Sequence, residues 1–315
     1  MITVLAGGVG AARFLVGLTA IVDPSEVTAV VNTGDDVELH GLWVSPDLDT
    51  VTYTLAGAIN PETGWGLVGE TWNALDALAR YERARPDGSS AGGTWFGLGD
   101  RDLATHLYRT ARLREGARLS AVVAEVAAAW GVGVRLLPMS DDPVPTIVTV
   151  EEGEIGFQDY FVGRHHSVPV RALRFAGADH ARPAPGVLDA IDNADVVVIA
   201  PSNPLVSIGP IRAVPGIDDV LRARRDDIVA VSPIVAGAAL KGPADRMLTE
   251  LGHEASVVGV ARIYAPVAAT LVIDEADTHR AAEVEAEGIR CVVAPTIMSG
   301  RAEAAALAGR VLTVR

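Results

Sequence analysis

The sequence of 315 residues has few cysteines, lysines and aromatic residues. Its single cysteine, Cys291, excludes an intramolecular disulfide and a zinc site built from several cysteines. Its single lysine is Lys241, so arginine supplies nearly all the positive charge, and we assign no function to this bias. Aromatic residues account for 5% of the chain, whereas 49% is hydrophobic, mainly Ala, Val and Leu. Such usage is typical of buried parallel strands and packed helices.

Long apolar runs and an excess of positive charge are also absent. No run approaches the roughly 20 apolar residues of a membrane-spanning helix, and residues 1–3 enter a strand pattern without the basic region of a signal peptide. The formal net charge is -14, which argues against nucleic acid and an anionic membrane as partners. We therefore expect a cytoplasmic protein that binds neither nucleic acid nor membrane.

The N-terminal pattern predicts the opening of a doubly wound α/β fold. Residues 2–6 form a short apolar run that ends in a glycine turn at 7–10. Residues 11–22 have apolar side chains at helical spacing, and a second apolar run follows at 27–31. Strand, glycine turn, helix and strand in this order are typical of nucleotide-binding folds with a parallel sheet.

The glycine turn is a candidate anion site. Its glycines are Gly7, Gly8 and Gly10, and backbone amides at such a turn can bind a phosphate at the helix N-terminus. Arg13 stands where a dinucleotide-binding motif carries Gly or Ala, and no Gly-Lys-Ser/Thr follows, so neither standard motif is complete. The turn could serve strand-to-helix geometry alone. Arg13 favours phosphate binding, because a guanidinium pairs with phosphate through two hydrogen bonds.

Two acidic clusters follow the second apolar run. One is the pair Asp35 and Asp36, and the other contains Asp47 and Asp49. Each cluster follows a glycine or a proline, so we expect loops rather than a helix face to carry them. Carboxylates grouped in this way suit a hard divalent cation, which would itself bind a phosphate. A solvated acidic loop is the alternative, and these residues alone do not decide between the two.

The remaining sequence predicts a helix-rich segment followed by further strands. Residues 51–130 contain helical patterns and few strand signals, which indicates an insertion or cap over the sheet. Antiparallel additions are expected at 147–150, 155–157 and 168–175. The other strands of the sheet are predicted at 132–137, 195–200, 228–231, 257–260, 270–273 and 290–293.

Five polar loops follow apolar strands, and they are residues 7–13, 32–36, 138–143, 201–210 and 232–243. If the strands are parallel, all five loops lie at one edge of the sheet, where ligands of such folds bind. Glycine amides, an arginine, carboxylates and hydroxyls together suit phosphoryl chemistry with a metal. Hydride transfer is disfavoured, because the carboxylates would repel a nucleotide's phosphates without a cation.

The chain resembles the 2-phospho-L-lactate transferase family of the CofD/FbiA type, which acts in the biosynthesis of a deazaflavin coenzyme, F-420. The resemblance covers essentially the whole chain and rests on several long motifs in the same order. They are residues 7–13 (GGVGAAR), 32–36 (NTGDD), 46–50 (PDLDT), 98–106 (LGDRDLATH), 137–142 (LPMSDD), 157–159 (FQD), 201–204 (PSNP), 207–211 (SIGPI) and 232–234 (SPI).

The resemblance implies a fold and an activity. The expected fold is a single Rossmann-like α/β domain over residues 1–315, with a mainly parallel sheet, helices on both faces and a helical insertion at about 51–130. Family members form homodimers and require Mg²⁺. They move a phospholactyl or phosphoenolpyruvyl group from a guanosine diphospho donor to the ribityl hydroxyl of 7,8-didemethyl-8-hydroxy-5-deazariboflavin and release GMP. The arginine-, alanine- and valine-rich composition looks actinobacterial, which favours the enolpyruvyl donor.

The matching positions also imply roles for particular residues. Asp35 and Asp49 are expected to hold the metal and take part in catalysis, and Asp49 and Arg101 to contact the deazaflavin. The residues expected to bind the guanosine nucleotide are Gly7, Gly8, Gly10, Arg13, Ser202, Asn203 and Ser207.

Two other functions stay open at the level of sequence. A related family of regulatory proteins shares the glycine turn and binds nucleotide sugars without catalysis, but it would not need the Asp47 and Asp49 pair or residues 99–106. A nicotinamide oxidoreductase is disfavoured by Arg13 and by the absence of an isolated ribose-binding acid after the second strand, where Asn32 stands.

Overall fold

The computed structural model describes residues 1–89 and 91–314. Within them, the strands are β1 (Ile2–Ala6), β2 (Val27–Val31), β3 (Val37–Leu39), β4 (Leu42–Val44), β5 (Arg135–Pro138), β6 (Thr146–Val150), β7 (Gly153–Gly156), β8 (Ala172–Phe175), β9 (Val196–Ile199), β10 (Ile228–Val231), β11 (Ile234–Val235), β12 (Ala238–Ala239), β13 (Thr270–Ile273) and β14 (Arg290–Val293). The α-helices are α1 (Gly8–Leu18), α2 (Pro46–Leu55), α3 (Asn73–Glu82), α4 (Asp102–Arg114), α5 (Leu119–Ala129), α6 (Val187–Asp192), α7 (Ile208–Ala213), α8 (Ile217–Ala223), α9 (Ala244–Glu250), α10 (Val257–Tyr264), α11 (Ala281–Ala286) and α12 (Arg301–Thr313).

A parallel sheet lies at the centre of the described chain. Its seven strands have the order β14-β13-β10-β9-β1-β2-β5, and all neighbouring pairs are parallel. Every residue of β1, β2, β9, β10 and β13 is buried, as expected for strands covered on both faces. The predicted Rossmann-like α/β fold is therefore confirmed.

Alternate side chains of the central strands enter two separate apolar clusters. Leu5 and Val30 point to one face, which helices α6, α7, α8 and α10 cover. Val4 and Ala29 point to the other face, which helices α1, α5 and α12 cover. This alternation follows from the two-residue period of a strand and places helices on both faces of the sheet.

Smaller antiparallel sheets flank the central one. Strands β7, β6 and β8 form a three-stranded sheet, which confirms the antiparallel additions, although β8 begins at Ala172 rather than at 168. Strands β3 and β4 form a hairpin between the two acidic clusters, and β11 and β12 form another after β10.

Two local predictions were wrong. The apolar run 257–260 is the start of helix α10, because Ser256 Oγ accepts hydrogen bonds from the N–H groups of Val258 and Gly259 and caps the helix. The second acidic cluster lies on a helix and not on a loop. Pro46 is the first residue of α2, a position that its fixed φ favours, and Asp47 and Asp49 occupy the first turn.

Residues 51–130 contain the end of α2 and all of α3, α4 and α5, joined by long irregular stretches. Two carboxylates hold the start of two of these helices. Glu70 accepts hydrogen bonds from the N–H groups of Arg101 and Asp102 at the start of α4. Asp100 accepts them from Asn73 and Ala74 at the start of α3. Each helix start is thus capped by a carboxylate that precedes the other helix, and these hydrogen bonds connect residues 70–74 to residues 100–102.

The assignment of one domain with an insertion stays a prediction.

No helix within residues 1–89 and 91–314 combines the length and the apolar character needed to cross a bilayer.

The packing of α1 against α12 gives a stability prediction. A β-carbon at Gly17 would lie 2.2 Å from the backbone carbonyl carbon of Ala304, so Gly17→Ala has to push the two helices apart. We expect the free energy of unfolding to fall by about 1–3 kcal/mol, the usual cost of overpacking, in urea denaturation. Gly309→Ala on α12 is the control, since its β-carbon would come no closer than 3.7 Å to another group. Equal losses in both variants would contradict close helix packing at Gly17.

Candidate active site

The glycine turn meets the loop after β9 where the strand order of the sheet reverses. Strand β1 pairs with β2 on one side and with β9 on the other, and the chain continues from β1 and β9 into α1 and α7 on opposite faces of the sheet. A crevice lies outside the carboxyl ends of strands at such a point. Ser202 Oγ donates to the carbonyl oxygen of Gly7 at 2.8 Å and accepts from its N–H at 3.3 Å. A β-carbon at Gly10 would lie 2.1 Å from the carbonyl oxygen of Pro201. Glycine is required here because the two backbones touch.

A cavity of about 500 Å³ opens at this crevice, and we call it the central cavity. Four of the five predicted polar loops contribute to its wall, namely those at 7–13, 32–36, 201–210 and 232–243. The loop at 138–143 contributes none of the described lining residues, because it follows the edge strand β5. Its Asp141 instead accepts hydrogen bonds from the N–H and the hydroxyl of Ser120 in α5.

Asp35 and Asp47 form a buried pair of carboxylates in the cavity wall. They are 6% and 9% exposed, and Asn32 Nδ2 lies between them, 2.9 Å from Asp47 Oδ2 and 3.4 Å from Asp35 Oδ1. Gln158 Nε2 lies 3.5 Å from Asp35 Oδ2. Over the described residues, neither carboxylate forms an ion pair with an Arg, Lys or His side chain.

Burial without a cation changes the acidity of this pair. Burial raises the pKa of Asp35 well above its ordinary value, and the charge of Asp47 raises it further. Burial raises the pKa of Asp47 from 3.8 to about 6, although hydrogen bonds from Asn32 and the N–H of Gly8 lower it. A positive charge nearby would therefore favour the ionised form of both carboxylates.

The residues in this wall fit the Mg²⁺ that the resemblance implies. Asp35 and Asp47 present only oxygen atoms, the ligands that Mg²⁺ prefers. Among the described residues no side-chain cation compensates their buried negative charge, so a bound Mg²⁺ would neutralise it. Asp36 is different, because its Oδ2 already accepts hydrogen bonds from Trp43 Nε1 at 2.9 Å and from the Ser45 hydroxyl at 2.8 Å. Burial raises the pKa of Asp36 to about 7.

Asp49 has a partner that the sequence analysis did not anticipate. Both of its oxygens accept hydrogen bonds from the guanidinium of Arg109, which is 2% exposed. His106 Nδ1 lies 3.7 Å from Asp49 Oδ2. Asp49 lines the central cavity with its charge already compensated, and its expected roles in metal binding and catalysis stay predictions.

Tyr53, Asp102 and His106 continue this wall of the cavity. The Tyr53 hydroxyl donates to Asp102 Oδ1 at 2.6 Å, and His106 Nε2 lies 3.3 Å from Asp102 Oδ2. Ligand atoms of Asp49, Asp102 and His106 lie within 4.8 Å of one another, a grouping that could hold a metal. Arg109 already neutralises Asp49, so a cation is needed less here than beside Asp35.

Most residues assigned from the sequence meet in this cavity. The predicted site residues in its lining are Gly7, Gly8, Gly10, Arg13, Asp35, Asp49, Ser202, Asn203 and Ser207. Arg101 is outside that lining. Its guanidinium donates to the carbonyl oxygen of Val68, so it supports the irregular segment before α3. The expected contact of Arg101 with the deazaflavin stays a prediction.

Several lining residues had no assigned role in the sequence analysis. Asp47 and Gln158 lie inside the quoted motifs, and their place in those motifs was a usable signal. Lys241 could have been singled out as the only lysine of the chain. Arg109, behind the wall, follows the motif at 98–106 by three residues, and nothing local marks it as the partner of Asp49.

Comparison with known proteins identifies the family of this chain. A family model described as 2-phospho-L-lactate transferase CofD matches residues 2–297. This chain belongs to the CofD family. Two relatives are phosphoenolpyruvate transferases, one from Kitasatospora aureofaciens (48% identity; 95% of this chain and 92% of the relative) and one from Streptomyces griseus subsp. griseus (48%; 99% and 97%). A third, from Mycolicibacterium smegmatis, has the same name (43%; 97% and 96%).

A solved structure supports the fold of this CofD-family chain. The crystal structure of a UPF0052 family protein from Bacillus halodurans superposes with a TM-score of 0.62 at 17% identity, covering 99% of this chain and 98% of that one. At this identity the likeness bears on the fold alone. The family and the named relatives show that the chain is a transferase enzyme. That result argues against both the non-catalytic regulatory protein and the nicotinamide oxidoreductase.

The buried Asp47 predicts an unusual pH dependence for the metal-free enzyme. Its pKa is raised in the folded state from 3.8 to about 6, so its contribution to stability is present at low pH and is lost as the pH rises through about 6. Asp47→Asn cannot titrate. We therefore expect this variant to gain stability relative to the wild type between about pH 4 and pH 7, in urea denaturation with a chelator.

The matched control for this experiment is Asp226→Asn, at a carboxylate whose side chain is 95% exposed. Its stability difference from the wild type should not change over the same pH range. A constant difference for Asp47→Asn as well would show that Asp47 is not a destabilised buried acid.

The ion pair between Arg109 and Asp49 predicts a large mutational effect. Arg109→Met leaves Asp49 buried without its cation, so we expect a loss of about 3–5 kcal/mol in the free energy of unfolding. Adding Asp49→Asn should recover part of this loss, because the unpaired charge is then removed. Arg112→Met, on the same helix but in a surface ion-pair cluster, should cost far less. Equal losses at 109 and 112 would argue against a buried charge pair.

Proposed function

We propose that this enzyme moves the phosphoenolpyruvyl group of enolpyruvyl-diphospho-5'-guanosine to the ribityl hydroxyl of 7,8-didemethyl-8-hydroxy-5-deazariboflavin and releases GMP. It would act as a homodimer in the biosynthesis of coenzyme F-420. The name shared by the relatives, phosphoenolpyruvate transferase, supports the enolpyruvyl donor. The name of the family model supports lactyl-diphospho-5'-guanosine as the alternative donor.

One observation carries the proposal: the N-terminus of α1 and the uncompensated pair of Asp35 and Asp47 line the same cavity. A helix N-terminus attracts the phosphates of a nucleotide, whereas two buried carboxylates repel them. A divalent cation between carboxylates and phosphates resolves this conflict. We propose Asp35 and Asp47 as the residues that hold Mg²⁺. When bound, this ion would neutralise charge on the diphosphate and on the departing GMP.

The donor would bind along the turn between β1 and α1. The N–H of Gly8 bonds to Asp47, whereas the following N–H groups of the first turn of α1 have no partner within the helix and can face phosphate oxygens. Ser202, Asn203 and Ser207 supply polar groups from the loop after β9. Arg13 projects from the second turn of α1, and its Nη1 lies 3.5 Å from the carbonyl oxygen of Met298, at the cavity wall. Its guanidinium can therefore pair with a phosphate.

The acceptor would bind against the aromatic part of the cavity wall. The aromatic lining residues are Tyr53, Trp65, Phe96, Phe157 and Phe161. Phe157 and Phe161 stack on each other, with ring centroids 5.5 Å apart and an interplanar angle of 11°. Flat apolar side chains of this kind suit a planar deazaflavin ring. The adjacent polar group of Asp49, Asp102 and His106 would then face the hydroxyls of the ribityl chain.

The transfer is a displacement at phosphorus. The hydroxyl oxygen of the acceptor forms a bond to the phosphorus that carries enolpyruvate, and the bond from that phosphorus to the bridging oxygen of GMP breaks. GMP leaves with the electron pair, and the hydroxyl proton passes to a carboxylate or to water. Both oxygens of Asp49 already accept hydrogen bonds from Arg109. Asp49 would therefore act mainly by positioning the hydroxyl, and charge stabilisation would supply most of the rate.

A direct assay tests this proposal. The enzyme is incubated with the deazaflavin acceptor, Mg²⁺ and either the enolpyruvyl or the lactyl donor, and GMP and the mass of the product are measured. We expect turnover with the enolpyruvyl donor and its loss when the metal is chelated. Asp35→Asn and Asp47→Asn should each lower kcat/KM by about 100-fold or more, since each removes a ligand of the cation.

The control for the assay is Asp179→Asn, at an exposed carboxylate outside the cavity lining, which should retain full activity. Urea denaturation would show that all three variants are folded. Full activity of Asp35→Asn and Asp47→Asn, or turnover without a divalent cation, would refute the proposed metal site. Preferential turnover of the lactyl donor would refute the choice of donor.

A further inference from the structure

The only lysine of the chain lies in the wall of the central cavity. Apart from seven histidines, every other side chain that can carry a positive charge is an arginine, so the lysine is an exception in this sequence. Lysine and arginine are not equivalent, because an ammonium is a compact charge and a guanidinium is a larger planar group with several N–H donors. A position that needed only a positive charge would suit arginine equally well. The location of this one exception in the cavity suggests a requirement for the smaller group.

The surroundings of Lys241 provide that small space. Its Nζ lies 3.5 Å from the carbonyl oxygen of Thr63, on the irregular segment that follows α2. A β-carbon at Gly64 would be 3.0 Å from this Nζ and 3.4 Å from Val9 Cγ1, in the first turn of α1. The ammonium therefore lies beside the N-terminal turn of α1, and a side chain at position 64 would displace it.

The charges around Lys241 point to an anion. Burial lowers the pKa of Lys241, and the charge of Arg13 lowers it further, so the two cations lie close enough to repel each other. In the part of the chain that the structure describes, neither of them has a carboxylate partner. Two cations without a carboxylate partner therefore lie beside the first two turns of α1, in the wall of the cavity. An anionic ligand with more than one negative charge would stabilise this arrangement.

We propose that Lys241 is a donor-binding residue whose ammonium pairs with the diphosphate of the guanosine nucleotide at the N-terminus of α1. This inference rests on the proposed function and adds to it a residue on the loop between β12 and α9. Arg13 would bind a phosphate through two parallel hydrogen bonds, and the Lys241 ammonium would form an ion pair with the same diphosphate.

The first test measures GDP binding by calorimetry in the presence of Mg²⁺. Lys241→Ala should weaken GDP binding by about 10-fold or more, since a hydrogen bond to a charged group contributes about 1.5–3 kcal/mol and tenfold corresponds to about 1.4 kcal/mol. Lys241→Arg should recover only part of the affinity, because a planar guanidinium places its charge differently from a compact ammonium. Unchanged GDP affinity in Lys241→Ala would overturn the assignment.

A pair of glycine variants tests whether the position of the Lys241 ammonium matters for GDP binding while its charge is kept. Gly64 and Gly57 both have a positive φ, 78° and 67°, so alanine strains the backbone similarly at either site. Only at Gly64 would the new β-carbon meet Lys241 Nζ, whereas nothing lies within 4 Å of the corresponding atom at Gly57. We expect Gly64→Ala to weaken GDP binding several-fold and Gly57→Ala to leave it unchanged. Equal affinities in both variants would contradict the proposal.

Because the chain has one lysine, amine acetylation can modify only Lys241 and the N-terminal amine. Acetylation removes the positive charge, so it should weaken GDP binding as much as Lys241→Ala does, and bound GDP should protect Lys241 from the reagent. Lys241→Arg protein treated in the same way reports the effect of the N-terminus alone. Undiminished GDP binding by the acetylated wild type would refute the role of Lys241.

GDP binding and GMP release by the wild type distinguish failure of this inference from failure of the proposed function. A wild-type enzyme that neither binds GDP nor releases GMP from the donor would overturn both. A wild type that does both, beside a Lys241→Ala variant with the same GDP affinity and the same KM for the donor, would overturn only the assignment of Lys241.

Discussion

The close contact between the glycine turn and the loop after β9 is the constraint on which the rest of the structure depends. Ser202 Oγ bonds to both the carbonyl and the N–H of Gly7, and a β-carbon on Gly7 would overlap Ser207 and Asp47. The absence of a side chain therefore lets the start of α1, the end of β9 and the start of α2 meet. The central cavity is the space that remains where these elements converge and the strand order reverses.

The charges around the cavity are arranged by sign and by whether they are compensated. Arg13 and Lys241 lie near the N-terminus of α1 without carboxylate partners among the described residues. Asp35 and Asp47 are buried without a cation, and burial raises the pKa of both. Asp49, in contrast, is neutralised by Arg109. An anionic ligand and a cation would together satisfy the unpaired groups, whereas the Asp49 pair is complete in itself and can hold a fixed position.

Local patterns predicted the fold better than they predicted the site. Glycine turns, apolar runs and helical spacing are short-range signals, and they identified the βαβ opening and most strands of the sheet. The run 257–260 was misassigned because four consecutive apolar residues suit a strand or a helix equally, and the cap that decides is the single hydroxyl of Ser256. The loop at 138–143 was expected in the cavity, but the position of β5 at the edge of the sheet keeps it away.

The sequence by itself determined the family, the α/β fold class and nine of the residues that line the cavity, because motif order and periodicity can be read from the order of residues alone. Only the tertiary structure decided which carboxylates have partners. Arg109 and Asp49 are 60 positions apart, and no local pattern links them. The same is true of Lys241 and Thr63, which are 178 positions apart. Burial and charge pairing depend on which surfaces meet after folding, and these contacts set the chemistry of each side chain.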